Sequence, residues 1–244
     1  MRVGWSVAAG DFDGDGACDL AVGSLYYNGG QANDGLVLVY RGEKSSADSS
    51  GGLSALPARV FSGASLGEVG SQFGRSMAAC DVDGDKKAEL VVGELAFRGG
   101  DAKMANRGAT RLFKLAAWPD GGSDSDDKPL AKAATKIEGV DAAAWSAVGA
   151  KGGDYHGYRV NCFDADGDGL SDVVSQIYNG EIEGGAVNAG VLAIYAGVKG
   201  ALPADAPIRS LSGNQSGTGL GLASTPLADL DGDGKPEIAA FASV

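Results

Sequence analysis

The sequence predicts an all-β chain, a succession of β-propeller blades each made of four antiparallel strands. Three observations carry this. Glycine supplies 41 of 244 residues, spread along the whole chain, and scattered glycine between short apolar runs marks many turns and short strands. One nine-residue, Asp-rich segment recurs four times. The runs flanking each copy recur with it, so the repeating unit is a small sheet that buries its faces only against its neighbours.

The four copies are Asp11–Asp19 (DFDGDGACD), Asp81–Glu89 (DVDGDKKAE), Asp164–Asp172 (DADGDGLSD) and Asp229–Glu237 (DLDGDGKPE). Their starts lie 70, 83 and 65 residues apart, a spacing that suits four strands with loops. The first strand of each unit is read at Ser6–Gly10, Ser76–Cys80, Tyr158–Cys162 and Leu222–Leu227. The second is read at Leu20–Gly23, Leu90–Gly93, Val173–Ser175 and Ile238–Phe241. Short apolar runs bounded by Gly and Asp are buried strands, so each Asp loop joins strands one and two. A third strand is expected at Gly35–Tyr40, Gly108–Phe113 and Gly190–Tyr195, and a fourth at Ala58–Gly63, Ala134–Gly139 and Ile208–Gly213.

The predicted blades are residues 2–63, 72–139 and 155–213, with a half blade at 219–244. Closed propellers typically need about 4 to 8 blades. Three and a half are therefore expected to be part of a larger propeller, seven-bladed for instance, whose other blades come from the same chain or another. Two interruptions, Glu43–Pro57 and the acidic Trp118–Pro129, read as surface loops between third and fourth strands.

The net charge is −12, and 16 of the 32 Asp and Glu sit in the four loops. Four divalent ions would bring the total to −4. No Lys/Arg cluster is present, which argues against nucleic acid and anionic membranes as partners. No run of 18 apolar residues is present, so no membrane span is expected. Val3–Ala9 is too short and interrupted for a signal-peptide core. Cys18, Cys80 and Cys162 are odd in number and form no CxxC. They support neither a disulfide framework nor zinc, and are expected to be small buried side chains.

The loops fit calcium, which takes six to eight hard oxygens. Acids at positions 1, 3 and 5 line the inside of a tight turn, position 7 offers a backbone carbonyl, and an acid at position 9 closes the shell. The ligand sets are Asp11, Asp13, Asp15, Ala17 and Asp19; Asp81, Asp83, Asp85, Lys87 and Glu89; Asp164, Asp166, Asp168, Leu170 and Asp172; and Asp229, Asp231, Asp233, Lys235 and Glu237. Position 6 requires a positive φ, which Gly16, Gly169 and Gly234 accept and Lys86 resists. With Lys87 adding charge, the second of up to four Ca²⁺ sites is expected to be the weakest. An EF-hand needs Glu at position 12 and flanking helices. Position 12 holds Val22, Val92, Ser175 and Ala240, and the flanks are strands.

With Phe73-Gly74 and Tyr155-His156-Gly157 ahead of first strands, the pattern strand–DxDGDGxx[DE]–strand resembles the FG-GAP repeat of integrin α-subunit propellers and their bacterial relatives. The resemblance implies an extracellular or cell-surface setting. It also implies structural calcium on one face and protein or glycan partners on the other. That second face is built by the loops between strands two and three and between strand four and the next blade. Tyr26, Tyr27, Phe97, Trp145, Tyr155 and Tyr178 are the candidate contacts there.

The lone His156 reads as a loop residue at the start of an inner strand, and no catalytic fingerprint is present. The expected function is an adhesion or binding module and not an enzyme. The alternative is an accessory or catalytic propeller segment of a secreted carbohydrate- or lipid-active enzyme.

Overall fold

A computed structural model describes residues 3–29, 32–44, 51–66, 70–115, 137–139 and 143–242. The expected loop at Trp118–Pro129 lies outside the described residues.

The first blade takes β1 (Ser6–Gly10), β2 (Asp19–Ser24) and β3 (Leu36–Tyr40) in antiparallel order. A short hairpin, β4 (Gly42–Glu43) and β5 (Gly52–Leu53), precedes the fourth strand, β6 (Arg59–Ser62). The second blade begins with β7 (Phe73–Cys80), β8 (Glu89–Glu94) and β9 (Ala109–Phe113).

Its fourth strand corrects the sequence reading. The segment expected to supply it, Ala134–Gly139, supplies β10 (Ile137–Gly139), which leaves the blade and pairs in parallel with β6 on the outer edge of the first. The second blade is completed instead by β11 (Trp145–Val148), with Trp145 opposite Leu112 and Val148 opposite Ala109. The reason is packing. Trp145 and Ala147 point inward with 6% exposure each and join the apolar layer facing the third blade. Gly149 then closes the strand by donating its N–H to the Gly108 carbonyl at 3.1 Å. Gly63 and Gly213 do the same to Gly35 and Gly190.

The third blade is β12 (His156–Phe163), β13 (Asp172–Ile177), β14 (Val191–Tyr195) and β15 (Arg209–Ser212), all antiparallel. The last pair is β16 (Ala223–Pro226) and β17 (Ile238–Phe241).

Strand alternation puts core on both faces of the second and third sheets. Leu90 and Val92 face the first blade with Val37, Val39, Phe61 and Phe113. Val91 faces the third with Val160, Val173 and Tyr195. Val174, Leu192 and Ile194 of the third face Ile238 of the fourth. The seams are also pinned by backbone. Gly35 and Gly108 precede third strands and pair in parallel with Phe73 and His156 of the next blade. A Cβ at Gly108 would sit 2.2 Å from the His156 carbonyl oxygen, so only glycine fits.

Two cysteine expectations are corrected. Cys80 and Cys162 form a disulfide, with Cα atoms 5.8 Å apart, joining the ends of β7 and β12. First strands of successive blades lie side by side, so residues 82 apart in sequence meet. Cys18 is exposed and free, not buried.

Candidate functional site: four acidic loops on one face

Each Asp loop closes a strand-one to strand-two hairpin, and all four fold alike. The position-1 acid accepts the backbone N–H groups of positions 4 and 6, and Asp81 and Asp164 also accept that of position 5 at 3.1 Å. Asp11 takes Gly14 and Gly16, Asp81 takes Gly84 and Lys86, Asp164 takes Gly167 and Gly169, and Asp229 takes Gly232 and Gly234, at 2.7–2.9 Å. Positions 3 and 5 each accept the N–H two residues on: Asp13 from Asp15 and Asp15 from Ala17 in the first loop, Asp231 from Asp233 and Asp233 from Lys235 in the fourth. Asp83, Asp85, Asp166 and Asp168 repeat this toward Asp85, Lys87, Asp168 and Leu170. These short-range bonds curl the backbone so that carboxylates line the inside of the turn. Position 6 has φ of 83°, 70°, 89° and 87° at Gly16, Lys86, Gly169 and Gly234. Lys86 thus holds a left-handed conformation that glycine accepts without cost.

Oxygens within 4.8 Å of one another come from Asp11, Asp13 and Asp15; from Asp81, Asp83 and Asp85; from Asp164, Asp166 and Asp172; and from Asp229, Asp231, Asp233 and Glu237. The donor set is all oxygen and several-fold anionic, which fits a hard cation such as Ca²⁺. The fourth loop converges all four of its expected acids. The first and second do not bring Asp19 or Glu89 into the group, and the third does not bring Asp168.

Position 9 has a second task. Asp19 accepts the N–H of Phe12 and of Gly42, and Asp172 those of Ala165 and Gly197. Glu89 and Glu237 accept those of Val82 and Leu230. Burial raises the pKa of Asp19 and Asp172 and pushes Glu89 up to about 7, each against the pull of these bonds.

Two loops hold a cation of their own that the sequence reading missed. Arg41 follows β3 and reaches Asp15 at 2.9 Å and Asp13 at 3.4 Å. Lys114 holds the equivalent place after β9 and pairs with Asp83. The equivalent residue after β14 is Ala196. The signal was a basic residue directly after a third strand, two times in three.

The loops also abut. Ala88 of the second loop donates to the Asp11 carbonyl at 2.8 Å, and Ser171 of the third to the Asp81 carbonyl at 3.1 Å.

On the opposite face, two of the six candidate contact residues are corrected. Trp145 is buried against Tyr195, with ring centroids 4.9 Å apart. Phe97 is buried beneath the Arg111 guanidinium at 4.5 Å. Tyr26, Tyr27, Tyr155 and Tyr178 are half-buried. His156 is the first residue of β12 and not a loop residue. It is fully enclosed, with Nδ1 3.2 Å from Thr110 Oγ1 and Nε2 3.2 Å from the Tyr195 hydroxyl. Burial pushes its pKa down to about 3, helped by the charge on Arg107. It occupies the place that Phe73 holds one blade earlier.

The sheets and loops define an array of β-propeller blades whose first and second strands are joined by acidic loops. Residues 3–40 match the family model for the FG-GAP repeat, and the later units repeat that architecture. The chain is 31% identical over 161 residues to human phosphatidylinositol-glycan-specific phospholipase D. That match covers 66% of this chain but 16% of the relative. Among solved structures, a Bacillus licheniformis rhamnogalacturonan lyase PL11 aligns over 97% of this chain and 40% of its own, at 17% identity and a TM-score of 0.46.

Proposed function

We propose that the chain is a calcium-binding FG-GAP module working outside the cytosol, in which the ions are structural and the opposite face engages a protein or glycan. The observation that carries this is the convergence of loop carboxylates at four equivalent corners. Unit charges about 4 Å apart repel by roughly 4 kcal/mol at an effective dielectric of 20, so an ion that neutralises them stabilises the folded state. Because neighbouring loops share hydrogen bonds, an ion in one loop stiffens the seam to the next blade. The acids at positions 1 and 3 of every loop would hold the ions, joined by Asp15, Asp85 and Asp233 at position 5 and by Asp172 and Glu237 at position 9. The Cys80–Cys162 disulfide supports an oxidising compartment.

Calorimetry with added Ca²⁺ and then with chelator tests the structural role. The melting temperature is expected to rise with calcium and fall with chelator, and an unchanged melt in both arms overturns the reading.

A second reading makes the chain the propeller segment of a secreted carbohydrate- or lipid-active enzyme, and the phospholipase relative favours the lipid form of it. Turnover abolished by substitutions outside the four loops would establish that reading over the first.

A further inference from the structure

We propose that the bore between the first strands, at the end away from the acidic loops, is a binding site for an acidic saccharide, with Arg75 as its carboxylate receptor. This rests on the reading of the chain as a binding module and specifies its ligand.

The bore holds a cavity of about 370 Å³, within the ~300–1,000 Å³ of small-molecule sites. All four units line it, through Trp5 and Ser6, Arg75, Arg159 and Asn161, and Ser224. The chain has a net charge of −12, yet no acidic residue lines this cavity and two arginines do. Arg75 is held between two rings, 5.4 Å from the Trp5 centroid and 4.7 Å from that of Tyr158. Among the described residues it has no carboxylate partner and no hydrogen bond. The guanidinium thus lies over two rings with its donor fork unspent, and such a fork receives a planar carboxylate with two parallel hydrogen bonds. Arg159 spends Nε on the Leu222 carbonyl at 2.7 Å and adds a second positive charge.

The rest of the lining selects a hydroxyl-rich ring. Ser6 and Ser76 donate to the Gly74 and Gly157 carbonyls, leaving hydroxyl oxygens free to accept. Asn161 donates to Ser224, leaving its side-chain carbonyl to accept. Trp5 is 42% exposed at the rim, a flat surface for the apolar face of a sugar. Most of the lining residues are polar, with Val7, Met77 and Val160 its aliphatic members, which favours a uronate over an acidic peptide.

The test is titration calorimetry in saturating Ca²⁺ with a β-1,4-linked glucuronic acid trisaccharide and with cellotriose, which carries hydroxymethyl groups in place of the carboxylates. The uronate is expected to bind at least about tenfold more tightly. R75A should lose that preference, and R75K, which keeps charge but not the fork, should retain part of it. Should R75A not fold, R75K alone must weaken uronate binding. Equal binding of the two sugars, an R75K or R75A variant indistinguishable from the parent, or tighter binding of hexa-aspartate than of the uronate overturns the proposal. The calcium-dependent melting shift is read on the same samples. Its presence without uronate binding defeats this inference alone, and its absence defeats the calcium reading independently.

Discussion

Cys80 and Cys162 close a covalent bond between the ends of two adjacent first strands, 82 residues apart in sequence. A crosslink of that span restricts the unfolded chain, and native disulfides typically contribute about 2–4 kcal/mol. Denaturant unfolding with and without a phosphine reductant should show a loss of that order, matched by Cys80→Ser in the absence of reductant. Identical midpoints in all three would mean that the seam stands without it.

Arg111 and Glu94 form a buried ion pair in the second blade, Nε to Oε2 at 2.6 Å, with side-chain exposures of 8% and 0%. Removing one partner leaves a charge buried without its counter-ion, at a cost of about 3–5 kcal/mol. Glu94→Gln should therefore unfold far earlier in urea. The paired replacement Glu94→Gln with Arg111→Met should recover part of the loss, and no recovery would show that the charges are not coupled.

His156 makes stability depend on acidity. Its folded pKa of about 3 lies below the ordinary value of 6.5, so between these pH values the unfolded chain binds the extra proton. Its contribution is complete above about 6.5 and declines as pH falls toward 3, by about 1.4 kcal/mol per unit. His156→Phe, which restores the residue type found at Phe73, should flatten this part of the pH profile. A variant with the parent's slope would place the titration elsewhere.

Arg41 and Lys114 sit where the first and second loops direct their carboxylates. Lys114→Ala and Arg41→Ala should each tighten calcium binding to its own loop by about fivefold, roughly 1 kcal/mol. Terbium luminescence on single-loop variants reads this directly. Weaker binding in either variant would identify the cation as a support of the loop and not a competitor for it.

Much of this architecture was legible in residue order because its signals are local. The Asp loops, the short apolar runs and the glycines before third strands each determine their own geometry within ten residues. What escaped was set between units. Ile137–Gly139 resembles a fourth strand as well as Trp145–Val148 does, and only the fit of Trp145 against Tyr195 decides between them. The cysteine pairing depends on first strands lying side by side, which no spacing rule expresses. In the loops, the alternate acids identified themselves, while Arg41 and Lys114 directly follow third strands, which residue order does not place beside the loops.

The excursion of β10 also determines how the molecule meets foreign chains. In the first blade the outward row of backbone donors and acceptors on β6 is engaged by a strand from within. At the second and third blades the corresponding strands are β11 and β15, with which no further strand pairs among the described residues, and Arg209 and Ser210 of β15 are exposed. An incoming extended segment therefore meets open fourth strands at the second and third blades and a covered one at the first.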